Sequence, residues 1–262
     1  MATKSWPKRR GALATDPAPP APRVVALGGG TGLPVLLTGL KEALFPPHER
    51  LPRRDRLTAI VTVADDGGSS GRLRETYRML PPGDIRNCLL ALSSGRSMLT
   101  PLFNFRFSGN RDVGGHSLGN LILSALNQME NDFCEAVEHA GRLLGICGRI
   151  LPATLAEVTV AAEFEDGSSV TGESKIANRR QPIRRVHLQP AGARVLPEAA
   201  AAIEAADVIA IGPGSLYTSL IPILLIEGLA EAIARASARV VLVMNLMTEP
   251  GETEAYTAVD HL

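Results

Sequence analysis

The chain has 262 residues, 45% of them hydrophobic, with 27 basic and 27 acidic side chains that cancel to a net charge of zero. That length is enough for one large α/β domain or two small ones, and the neutral balance argues against nucleic acid or an acidic membrane surface as partner. Three widely spaced cysteines, Cys88, Cys134 and Cys147, form no C-x-x-C and read as reduced side chains, not as a disulfide frame or metal site.

Residues 1–22 carry Lys4, Lys8, Arg9 and Arg10 and then an Ala/Pro-rich spacer without an apolar core, which predicts a disordered tail and no signal peptide. The apolar run Val240 to Leu246 is far short of the ~18 residues a membrane span requires. No membrane insertion and a cytoplasmic location are therefore expected. Residues 23–262 read as a single domain.

The run Val24-Val25-Ala26-Leu27 predicts a strand. It meets Gly28, Gly29, Gly30, Thr31 and Gly32, and a helix follows from Leu33 to about Leu44, with Pro34 in its first turn. Glycines allow φ > 0 and close approach, and the first N–H groups of a helix have no internal partner, so a phosphate or diphosphate fits such a turn. A turn that only packs helix on strand fits equally. On the anion reading, Gly29→Val abolishes binding by filling the phosphate's space. Phe45 to Arg56 reads as an exposed loop.

A second strand, Leu57 to Ala64, runs into Asp65, Asp66, Gly67, Gly68, Ser69, Ser70 and Gly71, followed by Arg72, Arg74 and Arg78. In a parallel sheet these loops share the carboxyl edge, where open α/β sheets bind ligands. Pro81 to Asn87 then leads into a helix that Asp84 can cap, with Arg86 and Asn87 in its first turn. Gly114-Gly115-His116-Ser117-Leu118-Gly119-Asn120 opens another helix, from Leu121 to about Glu130, and a further helix covers Asp132 to Leu144. His116 reads as a base, a ligand contact or a structural histidine.

About residues 154–189 the pattern changes: Val158, Val160, Ala162 and Phe164 alternate with polar residues, and Asp166-Gly167 marks a hairpin turn. This predicts a small antiparallel β excursion on the main sheet, with Arg179, Arg180, Arg184 and Arg185 on a solvated face. The α/β rhythm then returns with a helix at Ala199 to Ala205 and a strand at Asp207 to Ile211. Gly212, Pro213, Gly214 and Ser215 turn into a helix around Leu216 to Ile226, and a last strand, Arg239 to Met244, ends at Asn245, with Tyr256 beyond.

Gly28-x-Gly30-x-x-Leu33 is an imperfect dinucleotide fingerprint, with leucine in place of the third glycine, and no Gly-Lys-Ser/Thr follows, which excludes a Walker A loop. Asp65, Asp66 and Asp84 suit Mg²⁺ bridged to a diphosphate, or equally a ribose or loop caps without metal. Nothing in the order of residues ties Ser69, Ser70 or Ser215 to a histidine base, so no nucleophile is predicted.

GGGTG at Gly28 to Gly32, TVADDGGSSGRLR at Thr62 to Arg74, PPGDIRN at Pro81 to Asn87, GHSLGN at Gly115 to Asn120, IGPGSLYTS at Ile211 to Ser219 and NLMTEPGET at Asn245 to Thr253 occur in this order. Together the motifs resemble the bacterial gluconeogenesis factors, a branch of the superfamily that includes 2-phospho-L-lactate transferase. The resemblance implies a Rossmann-like core: a mostly parallel sheet with helices on both faces. It implies a nucleotide-sugar ligand of the UDP-N-acetylglucosamine kind and a regulatory role in cell shape, cell-wall synthesis and gluconeogenic growth, with self-association and cell-wall regulatory partners.

Carried over by matching positions, ligand roles fall on the GGGTG loop, Asp65, Asp66, Asn87, His116, Asn120, Gly212 to Ser215, Asn245 and Tyr256. Arg72, Arg74 or Arg86 would hold the diphosphate with the glycine loops, and Tyr256 would stack on the sugar or uracil. The transferase branch implies the alternative, a Mg²⁺-dependent transfer of a phospholactyl-type group with Asp65 or Asp66 on the metal. Members of the family usually continue for several dozen residues past the motif that ends at Asp260-His261-Leu262.

Overall fold

A computed structural model describes residues 21–45, 53–95, 98–109 and 111–261. Nearly all of the expected N-terminal tail and most of the expected loop after Phe45 lie outside the described residues. Five parallel strands form the main sheet: β1 (Val24–Gly28), β2 (Leu57–Val61), β3 (Arg149–Pro152), β7 (Val208–Ile211) and β8 (Arg239–Leu242), in the order β3-β2-β1-β7-β8. Every residue of β1 and β2 is buried, so the centre of the sheet is covered on both faces, as a parallel sheet requires. This is the α/β architecture that the alternation of strand and helix patterns predicts.

The helices are α1 (Gly32–Leu44), α2 (Gly68–Tyr77), α3 (Gly83–Leu92), α4 (Leu99–Asn104), α5 (Leu118–Glu130) and α6 (Phe133–Leu144), followed after β3 by α7 (Glu173–Arg179), α8 (Pro197–Glu204), α9 (Ile221–Leu224) and α10 (Leu229–Arg235). Among the described residues, no helix is long and apolar enough to cross a membrane. Leu33 and Leu37 of α1 pack with Leu27 of β1 and Leu57 and Ile60 of β2 at zero exposure, in the core that fixes the first turn. Each such side chain contributes roughly 1.5–3 kcal/mol by leaving water.

Two strands are shorter than their apolar runs. β2 leaves the ladder after Val61 although Val63 and Ala64 are buried, because its partner β1 ends at Gly28, whose carbonyl takes the Thr62 N–H. β8 ends at Leu242 for the same reason, since β7 turns away at Gly212.

The excursion is larger than a hairpin. β4 (Thr159–Phe164) lies between β5 (Ser169–Thr171) and β6 (Ile183–Gln189) in an antiparallel sheet, and α7 joins β5 to β6. Val160, Ala162 and Phe164 point inward as their alternation predicts. The arginines are mostly solvated: Arg185 pairs with Glu163, and Arg179 pairs with Asp166 and lies over the Phe164 ring. With a single buried residue, Ile176, α7 has no apolar periodicity to reveal it. The helix expected at Leu216–Ile226 is instead a π-helical turn, Leu216–Leu220, followed by α9, because the Ser215 carbonyl accepts from both Ser219 and Leu220.

Candidate functional site

From β1 the chain proceeds to β2 and β3 on one side of the sheet and returns to β7 and β8 on the other, so the order reverses between β1 and β7. Loops leaving two such strands diverge and open a crevice at the carboxyl edge. A cavity of about 740 Å³ lies there, walled by Gly29 to Gly32 after β1, Pro213 to Ser215 after β7 and Met244 to Glu249 after β8.

The glycines have separate tasks. A Cβ on Gly32 would overlap the Pro213 carbonyl, and one on Gly29 would overlap Thr62, so these positions let the β1 loop seat against its neighbours. For Gly29 this corrects the expectation of an empty cradle: protein atoms already fill that space. Gly30, at φ +62°, would meet only Ser219 Oγ at 3.7 Å. It faces the cavity with room to spare.

Asn245 and Ser215 are joined through a residue the sequence reading did not single out. Glu249 accepts from Asn245 Nδ2 at 2.7 Å and from Ser215 Oγ at 2.6 Å, and Asn245 Nδ2 also reaches the Gly214 carbonyl at 3.1 Å. Buried Glu252 accepts the Tyr217 N–H and the Thr218 hydroxyl, capping the π-helical turn; burial raises its pKa. Tyr256 lines neither this cavity nor the second one described below: its hydroxyl bonds to that of Tyr217 at 2.7 Å, with the rings edge to face. The apolar side chains lining the crevice include instead half-buried Met244 and the strongly exposed Val35, Leu246 and Met247.

A second cavity, of about 210 Å³, lies between the amino ends of α2 and α3. It gathers Asp65, Gly67, Gly68, Ser69, Arg86, Asn87 and Asn120 from the predicted set, together with Asp84 and Arg106. Buried Arg86 donates to Ser117, Asn87 and Asn120; Asn120 donates to Ser69 Oγ at 3.0 Å; Ser69 Oγ lies 2.9 Å from His116 Nδ1. The Ser69 oxygen, with two lone pairs, can accept from Asn120 while it either donates to Nδ1 or accepts from it, according to the His116 tautomer. Burial, then the charges of Arg72 and Arg106, lower the His116 pKa and keep the ring neutral.

A serine–histidine pair therefore does exist, 47 positions apart in the chain, although nothing in the order of residues tied Ser69 to a histidine. It lacks a third group orienting the ring, since His116 has no other side-chain hydrogen bond among the described residues. Arg72 donates to the Gly114 carbonyl at 2.7 Å and Arg74 to Thr159, so of the three arginines expected to hold a diphosphate only Arg86 lines a cavity, and it is this second one.

Carboxyl groups form the partition between the two spaces. Asp84 does not cap its own helix: its Oδ2 accepts the Gly30 N–H at 2.7 Å. Asp65 accepts the Gly67 N–H at 2.8 Å, and Asp66 accepts that of Ser174, so it caps α7. Glu173, at the start of α7, lines the larger cavity and hydrogen-bonds Asp65. Two carboxyls so joined share a proton. Burial, then Asp65, Asp84 and Asp66, raise the Glu173 pKa to about 8; burial, then Asp65, raise that of Asp84 to about 6.

These hard oxygen donors suit Mg²⁺ in kind, although among the described residues no three metal-ligating side chains form a ready coordination shell. Magnesium commonly takes only one or two carboxylates, with water and phosphate oxygens completing its shell. Asp65 and Glu173 would hold it, and it would neutralise phosphate charge.

A family model described as 2-phospho-L-lactate transferase CofD matches residues 24–262. The chain belongs to the CofD family. Within that family it is similar to curated proteins named gluconeogenesis factor, among them one from Bacillus subtilis, 49% identical over 241 residues that make up 92% of this chain and 73% of that protein. A putative gluconeogenesis factor from a Nostoc species is 48% identical over 92% of this chain, which spans 51%, about half, of that relative. A crystal structure of a Bacillus halodurans protein superposes on the CofD-family chain with a TM-score of 0.84 at 48% identity, covering 92% of this chain and 74% of the other.

The family motifs supply most of the loops of both cavities, yet several residues that organise them were not singled out beforehand. Glu249 and Glu252 stand inside the NLMTEPGET motif and were legible as its acidic positions. Glu173 and Arg106 had no local signal, because only the folded chain carries them to the carboxyl edge.

Proposed function

We propose that this CofD-family protein binds a nucleotide sugar, a UDP-sugar such as UDP-N-acetylglucosamine, in the 740 Å³ crevice and acts as a regulatory factor in cell-wall and cell-shape homeostasis during gluconeogenic growth. The observation that carries the reading is the position of the crevice, at the sheet's reversal between β1 and β7, where backbone N–H groups, Asn245 and an apolar fringe meet. The uncapped amino end of α1 offers N–H donors to a diphosphate, since Thr31 provides no side-chain cap. Val35, Leu246 and Met247 offer apolar surface to a base, the role first expected of Tyr256. Among the described residues no lysine or arginine lines this crevice, so the diphosphate relies on backbone donors and, if Mg²⁺ joins it, on Asp65 and Glu173.

A second reading, a Mg²⁺-dependent transferase of a phospholactyl-type group, draws on the carboxyl partition and on the name of the family model. In that case the crevice binds a nucleotidyl-activated donor and the metal stabilises charge on the departing nucleotide. Calorimetric titration with UDP-N-acetylglucosamine and with GDP, each with Mg²⁺ and with EDTA, separates the two. Tight UDP-sugar binding that survives EDTA supports the regulatory factor, and Mg²⁺-dependent GDP binding supports the transferase. Absence of both sinks the nucleotide site.

A further inference from the structure

The smaller cavity has a composition the larger one lacks. Arg86 is only 7% exposed, has no carboxylate within ion-pair distance among the described residues, and leaves its buried Nε without any acceptor. A second guanidinium, that of exposed Arg106, lines the same space and depresses the Arg86 pKa, after burial itself. The carboxyls of Asp65 and Asp84 line the cavity too and offset part of this charge, but the buried Arg86 Nε–H still has no acceptor, which is costly until one joins it.

The backbone points the same way. α2 and α3, ten residues each, begin at this cavity, and neither has a side-chain cap. Their first N–H groups and the positive ends of their dipoles are directed at it. The local carboxylates are already engaged: Asp84 Oδ2 holds the Gly30 N–H, and Asp65 holds the Gly67 N–H and Glu173. At about 210 Å³ the cavity accommodates a small ion or a terminal group, not a nucleotide.

We infer that this cavity is a separate oxyanion site for a phosphoryl group, built from Arg86, Arg106, Asn87 and the amino ends of α2 and α3. Its occupant is inorganic phosphate or the terminal phosphate of a small phosphorylated metabolite. Asn120, Ser69 and His116 hold the Arg86 guanidinium in place through their chain of hydrogen bonds. The inference does not depend on what fills the larger crevice.

The test is phosphorus NMR and calorimetry of the full chain with inorganic phosphate, glucose 6-phosphate as a terminal-phosphate probe, and UDP-N-acetylglucosamine. Wild-type protein is expected to bind phosphate or the sugar phosphate, and the stronger of the two identifies the source. Arg106→Gln, at an exposed position, is expected to weaken that binding at least tenfold while circular dichroism shows an unchanged fold. Saturating UDP-N-acetylglucosamine is expected to leave phosphate bound. No binding of either probe, unchanged affinity in Arg106→Gln, or one-for-one displacement by the UDP-sugar would each overturn the inference. Failure of the UDP-sugar to bind, with the phosphate results as expected, would remove only the nucleotide-sugar reading.

Discussion

The Asp84 carboxylate accepts the Gly30 N–H at 2.7 Å, so a side chain 54 residues later, in the first turn of α3, holds the first glycine loop in place. This carboxyl has its pKa raised to about 6 from an ordinary 3.8, first by burial and then by Asp65. An acid with a raised folded pKa contributes stability that is complete below pH 3.8 and is lost as pH rises through about 6. At pH 8 the charged form costs on the order of 2–3 kcal/mol. Asp84→Asn keeps an acceptor for Gly30 without the charge, so urea unfolding should find it more stable than wild type at pH 8 and equal to it near pH 4. A variant less stable at pH 8 would show that the charge itself is needed to hold Gly30.

Neighbouring glycines should respond differently. Gly32→Ala drives its methyl into the Pro213 carbonyl and should lower stability by about 2–4 kcal/mol, a size associated with overpacked or strained sites. Gly30→Ala has space but must hold φ at +62°, which costs roughly 1–2 kcal/mol. Denaturant midpoints at constant slope compare the two, and equal losses would contradict the packing of the β1 loop against the β7 loop.

Glu252→Ala removes the acceptor from the Tyr217 N–H and the Thr218 hydroxyl in a buried setting. Loss of about 1–3 kcal/mol is expected. Glu252→Gln keeps one side-chain carbonyl and should recover part of it. Thermal unfolding of both variants decides, and an alanine variant as stable as wild type would remove Glu252 from its capping role.

His116 should titrate below 6.5, because burial and the charges of Arg72 and Arg106 oppose its protonation. A base with a lowered folded pKa contributes stability that is complete above 6.5 and is lost as pH falls towards the folded value. The imidazole proton resonances followed from pH 8 to pH 4.5 measure the midpoint. A value at or above 6.5 would mean that the ring is better solvated than its burial implies.

Asn245→Ala leaves Glu249 and the Gly214 carbonyl without their common donor and loosens the β8 loop against the β7 turn. One neutral hydrogen bond corresponds to roughly a threefold to tenfold loss of UDP-sugar affinity. Calorimetry with UDP-N-acetylglucosamine reads it directly, and unchanged affinity would place the ligand away from this wall.

By itself the sequence determined the strand–turn–helix units around Gly28, Asp65 and Gly212 and the strand that ends before Asn245, because apolar runs, glycines and helix starts are local and their physics is local too. It also determined, through the order of its motifs, that these loops belong to one family. Only the tertiary structure decided how those loops divide into two cavities. Arg86, Asn120, Ser69 and His116 form a single hydrogen-bonded chain that no spacing announces, Asp84 holds a foreign loop and not its own helix, and Glu173 arrives from an excursion whose helix has no periodicity. Contacts between distant residues depend on where the sheet reverses and which neighbouring strand runs out, and these follow from the packing of the whole core.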